Sequence, residues 1–230
     1  MSGPERAASP EGDSARRAGL PPLATDAQAP APGSAVPDAV ASVLRLLAHR
    51  RSISPVHMRP DPVPDAWLDA ILEASRWAPT HGKNEPWRLV VYRGDAAMSE
   101  LAAARHAGYL QVVPPEQQKA AKLEKIETAH ARAPVAIAVG CLAGANPRIP
   151  AHEDRAAVSC AVQNLSLAAT AFGLGSFWST GALAYSQAVR DATGFLPPVE
   201  PMGFIFVGFP AKPWPEGRRG ALSEKVVWKL

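Results

Sequence analysis

Three patches of this 230-residue sequence carry residues suited to binding chemistry. Arg50-Arg51-Ser52 places two guanidiniums and a hydroxyl at the end of an expected helix. Such forked donors suit a phosphate monoester dianion, and adjacent arginines there also complement a helix dipole. The second patch, APTHGKNEPWR from Ala78 to Arg88, crowds polar side chains between Pro79 and Pro86, just before an expected strand. A plain connector needs no such density. The third, GLGSFWSTG from Gly173 to Gly181, sets backbone groups freed by glycines beside Trp178.

Other chemistries find no support. Gly173-Leu174-Gly175 opens like a dinucleotide fingerprint, but Trp178 stands where a third glycine belongs. The stretch also runs helix to strand, the reverse of the order that sets a pyrophosphate on a helix N-terminus. There is no P-loop, HExxH, Cys/His cluster or GxSxG, so no metal site or nucleophile is expected. His152-Glu153-Asp154 reads as dipole complement at a helix start, and Cys160 as a packed thiol.

The elements that must position these patches follow from periodicity. Val40, Val43, Leu44 and Leu47 make residues 38–52 an amphipathic helix. A proline-rich connector leads to a second helix, capped by Asp65 and ended before Pro79. Apolar runs predict strands at 88–94, 134–141, 174–178 and 202–208, with helices at 96–107, 115–131, 152–172 and 185–193. Residues 104–130 are the expected lid over the site, and FPAKPWPEG begins a proline-rich C-terminal arm. Few strands and long helices make an α+β or α/β layered domain over 38–230.

Composition bounds the rest. The chain has 24 prolines, and seven of them (4, 10, 21, 22, 30, 32 and 37) fall in an Ala/Ser/Gly-rich stretch. Residues 1–37 are therefore expected to be a disordered tail, with too few aliphatic residues to offset ordering entropy. That tail has neither an apolar signal region nor the acid-poor character of a transit peptide. A net charge of +3 does not suggest a nucleic-acid partner. No apolar run is long enough to span a bilayer, and two cysteines fit a reducing cytoplasm.

Four segments in register — RRS, WAPTHGKNEPWRLVV, GLGSFWSTG and GFIFVGFP — resemble the nitroreductase superfamily of flavoenzymes, closest to its short NAD(P)H nitroreductase branch. The resemblance covers about residues 40–210. It implies an α+β fold with a central, mostly antiparallel sheet covered by helices, and a homodimer with FMN at the interface. It further implies that Arg50, Arg51 and Ser52 hold the phosphate and ribityl end, and that His81 touches the flavin. Trp178, Ser179, Thr180 and Gly181 lie along the flavin, and Ala168, Ala169, Thr170, Ala171, Phe172 and Gly173 correspond to an NAD(P)-binding stretch. Glu85 departs from the usual Gln and is expected to pair with an arginine such as Arg88. Ser54 replaces a basic residue, so a second phosphate cation must come from Arg51, Lys212, Arg218 or Arg219.

The implied activity moves two electrons from NADH or NADPH, through flavin N5, to an electron-poor small molecule: a nitroaromatic, quinone or activated alkene. No catalytic side chain is expected, because the flavin carries the chemistry. The alternatives are the same fold with another reaction (flavin destruction, dehalogenation or dehydrogenation) or a non-catalytic FMN-binding module.

Overall fold

The structure, a computed structural model, describes residues 37–129, 131–144 and 146–229. Of the expected tail, residues 1–37, residues 1–36 lie outside the described residues. The chain divides into units 1–42 and 43–230, and the described part of the first is the beginning of α1.

Among the described residues six α-helices and five strands follow one another: α1 (Asp38–His49), β1 (Met58–Arg59), α2 (Asp65–Ser75), β2 (Trp87–Arg93), α3 (Asp95–Val112), α4 (Ala120–Thr128), β3 (Val135–Leu142), α5 (Ala151–Ala171), β4 (Gly175–Ser179), α6 (Gln187–Thr193) and β5 (Val199–Pro210). All four ladders are antiparallel. β5 is the hub: it pairs with β3, with β4 and, over its last two residues, with β1, while β2 pairs with β3.

The unbroken apolar runs of β3 and β5 arise because both faces of the sheet are covered. Successive side chains alternate. Ile137, Val139, Ile205 and Val207 therefore pack with α2 and α5 residues such as Ile71, Val158 and Leu165. Ala136, Ala138, Phe204 and Phe206 pack the other way, with Met98 and Leu101 of α3 and Val189 of α6. Ala157, Ala161 and Ala169 of α5 are buried. The result is an α+β layered fold, as expected.

Several expectations change. Asp65 is the first helical residue, not the cap: Pro64 occupies the cap position, and the Asp65 carboxylate accepts from Arg93 Nη1 at 2.6 Å. α3 runs on to Val112, and the expected helix 115–131 is a 3-10 turn (Pro115–Gln117) followed by the shorter α4. Pro114 and Pro115 interrupt the helix, and the Lys119 N–H donates to the Tyr109 hydroxyl at 2.9 Å. The first part of the expected lid belongs to the core, since Arg105, Gly108 and Tyr109 are buried.

α1 buries nothing: Val43, Leu44 and Leu47 are 57%, 54% and 45% exposed. Among the described residues nothing buries its apolar stripe.

Candidate functional site

The site begins where the chain leaves α1. Ser52 forms a parallel bridge with Ser176 of β4, and the Ile53 N–H donates to the Ser176 carbonyl at 2.8 Å. This crossing needs Gly175, where a Cβ would stand 2.7 Å from Ile53 Cβ. The preceding Gly173 closes α5 in a Schellman motif: Gly173 N–H bonds Thr170 O and Leu174 N–H bonds Ala169 O, each at 2.9 Å. The Gly-Leu-Gly segment thus terminates a helix and allows a backbone crossing, and it is no dinucleotide loop.

Two clefts flank Ser52. One, of about 190 Å³, is lined by Arg50, Ser52, Ser159, Gln163, Ser176 and Trp178. The other, of about 220 Å³, is lined by Ser52, Ser54, His57, Phe177 and Lys212. The structure therefore brings together Arg50, Ser52, Trp178 and Lys212, which lie up to 162 residues apart. Ser159 and Gln163 were missed in the sequence because α5 reads as a small-residue packing helix. Their polarity at a spacing of four residues is the signal that could have exposed them.

The two arginines divide their roles. Arg50 lines the cleft. Arg51 Nη1 donates to Ala48 O at 2.6 Å and Arg50 O at 2.7 Å, and its Nε donates to Pro215 O at 3.1 Å. Arg51 caps the carbonyl end of α1 and straps down the C-terminal arm. Trp214 adds to the strap, stacking on His49 at 4.8 Å and donating to His49 O at 2.7 Å. That strap delivers Lys212; Arg218 and Arg219 are exposed beyond it and line neither cleft.

Trp178 is held by its indole N–H, which donates to Met202 O at 3.0 Å. Ser179 closes the β4 ladder opposite Phe204, and exposed Thr180 and Gly181 carry the chain into a 3-10 turn (Ala182–Tyr185). In Ala168–Gly173, Ala169 and Thr170 are buried, and Phe172 stacks on Trp67 at 4.9 Å. Thr170 Oγ1 donates to Ser166 O, so helix packing and termination occupy this stretch.

The proline-flanked loop sits elsewhere. His81 Nδ1 lies 2.5 Å from Glu153 Oε2. Asn84 Nδ2 donates to Asp154 Oδ1 at 2.7 Å, and the Gly144 N–H donates to Asp154 Oδ2 at 2.9 Å. Lys83 and Glu85 adopt left-handed backbone, φ 57° and 44°, an uncommon conformation that surrounding bonds must enforce. The Arg88 guanidinium donates to the Glu85 carbonyl oxygen at 3.0 Å, where a bond to the carboxylate was expected. His81 lines neither cleft. From Glu153 to Ser159, the nearer α5 residue of the Arg50 cleft, the helix rises roughly 9 Å, so the loop meets α5 more than one turn from that cleft.

The buried Cys141 is no ready nucleophile. Burial first, then Asp154 and Glu200, pushes the Cys141 thiol up to about 11. Among the described residues no three His, Cys, Asp or Glu side chains cluster to hold a metal ion. Nor is any described helix long and apolar enough to cross a membrane.

Comparison with known proteins agrees with this architecture. The chain is 33% identical over 167 residues to a protein of Escherichia coli K12 named "Putative NAD(P)H nitroreductase YdjA", covering 73% of this chain and 87% of that one. The crystal structure of a nitroreductase-like family protein from Bacillus cereus matches with a TM-score of 0.70 at 26% identity, over 81% of this chain and 95% of the other. A Desulfovibrio desulfuricans "putative nitroreductase in complex with fmn" matches with a TM-score of 0.62 at 26% identity, over 82% and 96%. The profile of the Nitroreductase family matches residues 47–209, from the last three residues of α1 to the last but one of β5. The chain belongs to the nitroreductase family.

Proposed function

We propose that this protein is an FMN-dependent oxidoreductase that uses NAD(P)H to reduce small electron-poor acceptors such as nitroaromatics, quinones or activated alkenes. The observation that carries this reading is the convergence of Arg50, Ser52 and Lys212 on two clefts that share Ser52, beside Trp178. That donor set fits a phosphate monoester and a polyol: two cations for the dianion, and hydroxyl and amide groups for the ribityl chain. A name that specifies NAD(P)H in one relative and an FMN complex in another support the same reading.

FMN, when bound, would accept a hydride from NAD(P)H and hand two electrons to the acceptor; this chain's residues bind and orient it. Lys212 and Arg50 would neutralise the phosphate, with Ser52 between them. Trp178, fixed by Met202 O, would wall the ring site, and the backbone of Ser179–Gly181 would point dipoles at it. No side chain needs to act as acid, base or nucleophile.

The same reading includes a homodimer. The exposed stripe of Val43, Leu44 and Leu47 runs into Arg50, so a second copy covering it would border the cofactor site. A His81 loop lying away from its own chain's clefts would then serve the site of the other copy.

The absorption spectrum of the purified protein tests the proposal, followed by anaerobic titration with NADH and then NADPH. A flavin spectrum that bleaches with either nucleotide is expected. Colourless protein that takes up no added FMN would overturn the reading. Bound flavin that neither nucleotide bleaches would instead identify a binding module.

A further inference from the structure

Arg105 is an unexpected charge in the core. It lies on α3, is 6% exposed, and its Nε has no hydrogen-bond partner. Its guanidinium carbon sits 4.9 Å from the Phe206 ring centroid and 5.6 Å from that of Phe204. Among the described residues no carboxylate forms an ion pair with it. Burial lowers its pKa to about 10, so it remains charged at neutral pH.

An unpaired buried charge is costly, and ring quadrupoles offset only part of that cost. Its place in the sheet suggests what it serves. Across the β4–β5 ladder Phe206 pairs with Phe177, and Phe204 pairs with Ser179. Arg105 therefore lies on the face that carries Phe177 and Ser179, one strand over, or roughly 10 Å away when a strand spacing is added to the ring contact. Phe177 walls the Lys212 cleft, and Ser179 opens the stretch assigned to the flavin ring.

We propose that Arg105 is a fixed positive charge that stabilises reduced, anionic FMN over oxidised FMN; this rests on the FMN reading above. Two-electron reduction adds two electrons and one proton, so the ring gains one net negative charge. A buried cation on the sheet face of Phe177 and Ser179, in a poorly screened layer, attracts that charge without touching it. Arg105 is a positioning residue of the electrostatic kind, and its effect belongs to the reduction equilibrium.

The experiment is a spectroelectrochemical titration of FMN bound to the full chain, wild type against R105M and R105Q. Neutral replacement of a buried charge by a side chain of similar volume is often tolerated by the fold. The expected result is a tenfold loss of preference for reduced over oxidised FMN, which lowers the two-electron midpoint potential by about 30 mV. Affinity for oxidised FMN stays within a few-fold of wild type. Unchanged potentials in folded, FMN-loaded variants would overturn the proposal, and wild-type protein that binds no FMN would instead remove the reading beneath it.

Should neither neutral variant fold, R105K decides. A buried ammonium loses its proton at lower pH than a guanidinium. Its potential should fall away from wild type as pH rises from about 6 to about 9, and coinciding curves would sink the idea.

Discussion

The Trp178 indole N–H donates to the Met202 carbonyl at 3.0 Å, and this bond exists because β5 carries an irregularity at that point. The register with β3 shifts between Val139 and Gly140, which face Gly203 and Pro201. Met202 is the extra residue, and the bulge turns its carbonyl toward the indole. Gly203, at φ 110°, has room for no side chain: a Cβ would stand 2.4 Å from the Ser179 carbonyl oxygen.

Gly203→Ala should therefore cost about 2–4 kcal/mol, through both the backbone conformation and the clash. Urea unfolding should show a lower midpoint with an unchanged slope, and FMN affinity should fall as Trp178 shifts. A wild-type midpoint would show that the bulge yields easily.

Asp154 is buried and accepts from Asn84 Nδ2 and the Gly144 N–H. Asp154→Ala leaves both donors unpaired and should cost about 3 kcal/mol. Hydrogen exchange should show the His81 loop losing protection before the sheet does.

Arg50 and Arg51 should respond differently. Arg50→Ala removes a cation from the cleft and should weaken FMN binding about 10–100-fold, as for one charge-assisted bond. Arg51→Ala frees Pro215 O and the carbonyls of Ala48 and Arg50. Its main effect should be faster limited proteolysis of the C-terminal arm, with a smaller loss of FMN affinity. Equal losses of affinity would mean that both arginines face the phosphate.

Leu44→Glu on the exposed α1 stripe should convert a dimer to a monomer in sedimentation and lower FMN occupancy in parallel. A monomer that keeps full FMN occupancy would separate the site from the interface.

Tyr92 gives a pH dependence. Burial, and secondarily Glu100, pushes its phenol up to about 12, while its hydroxyl donates to Ala192 O at 2.8 Å. Above the ordinary value of 10.0 the unfolded chain releases this proton and the folded one retains it. Stability should thus be intact below pH 10 and decline toward pH 12, by at most about 1.4 kcal/mol per pH unit. Tyr92→Phe should flatten that decline in alkaline urea titrations.

Much of the scaffold was legible in the sequence, because its signals are local. The strands expected at 134–141 and 202–208 read as buried since an unbroken apolar run needs cover on both faces, and α2 and α5 on one side and α3 and α6 on the other supply it. The proline-flanked loop and the Arg50–Ser52 corner were visible as polar density beside helix and strand ends. Interruption by Pro114 and Pro115 was underestimated, because a charged helical pattern continues past them to Thr128.

The site itself is a product of long-range pairing. Periodicity says that a residue faces something, and not what it faces. The bridge between Ser52 and Ser176 joins the first patch to the third, and the strap that Arg51 and Trp214 make on the C-terminal arm selects Lys212 over Arg218 and Arg219. Nothing local marks Arg105 as buried, since arginine on a helix ordinarily faces water. The sequence determined which segments are strands, helices and polar loops, through backbone preference and apolar period. Tertiary structure decided which polar groups share a cleft and which charge lies behind it, because β pairing joins residues that no local pattern connects.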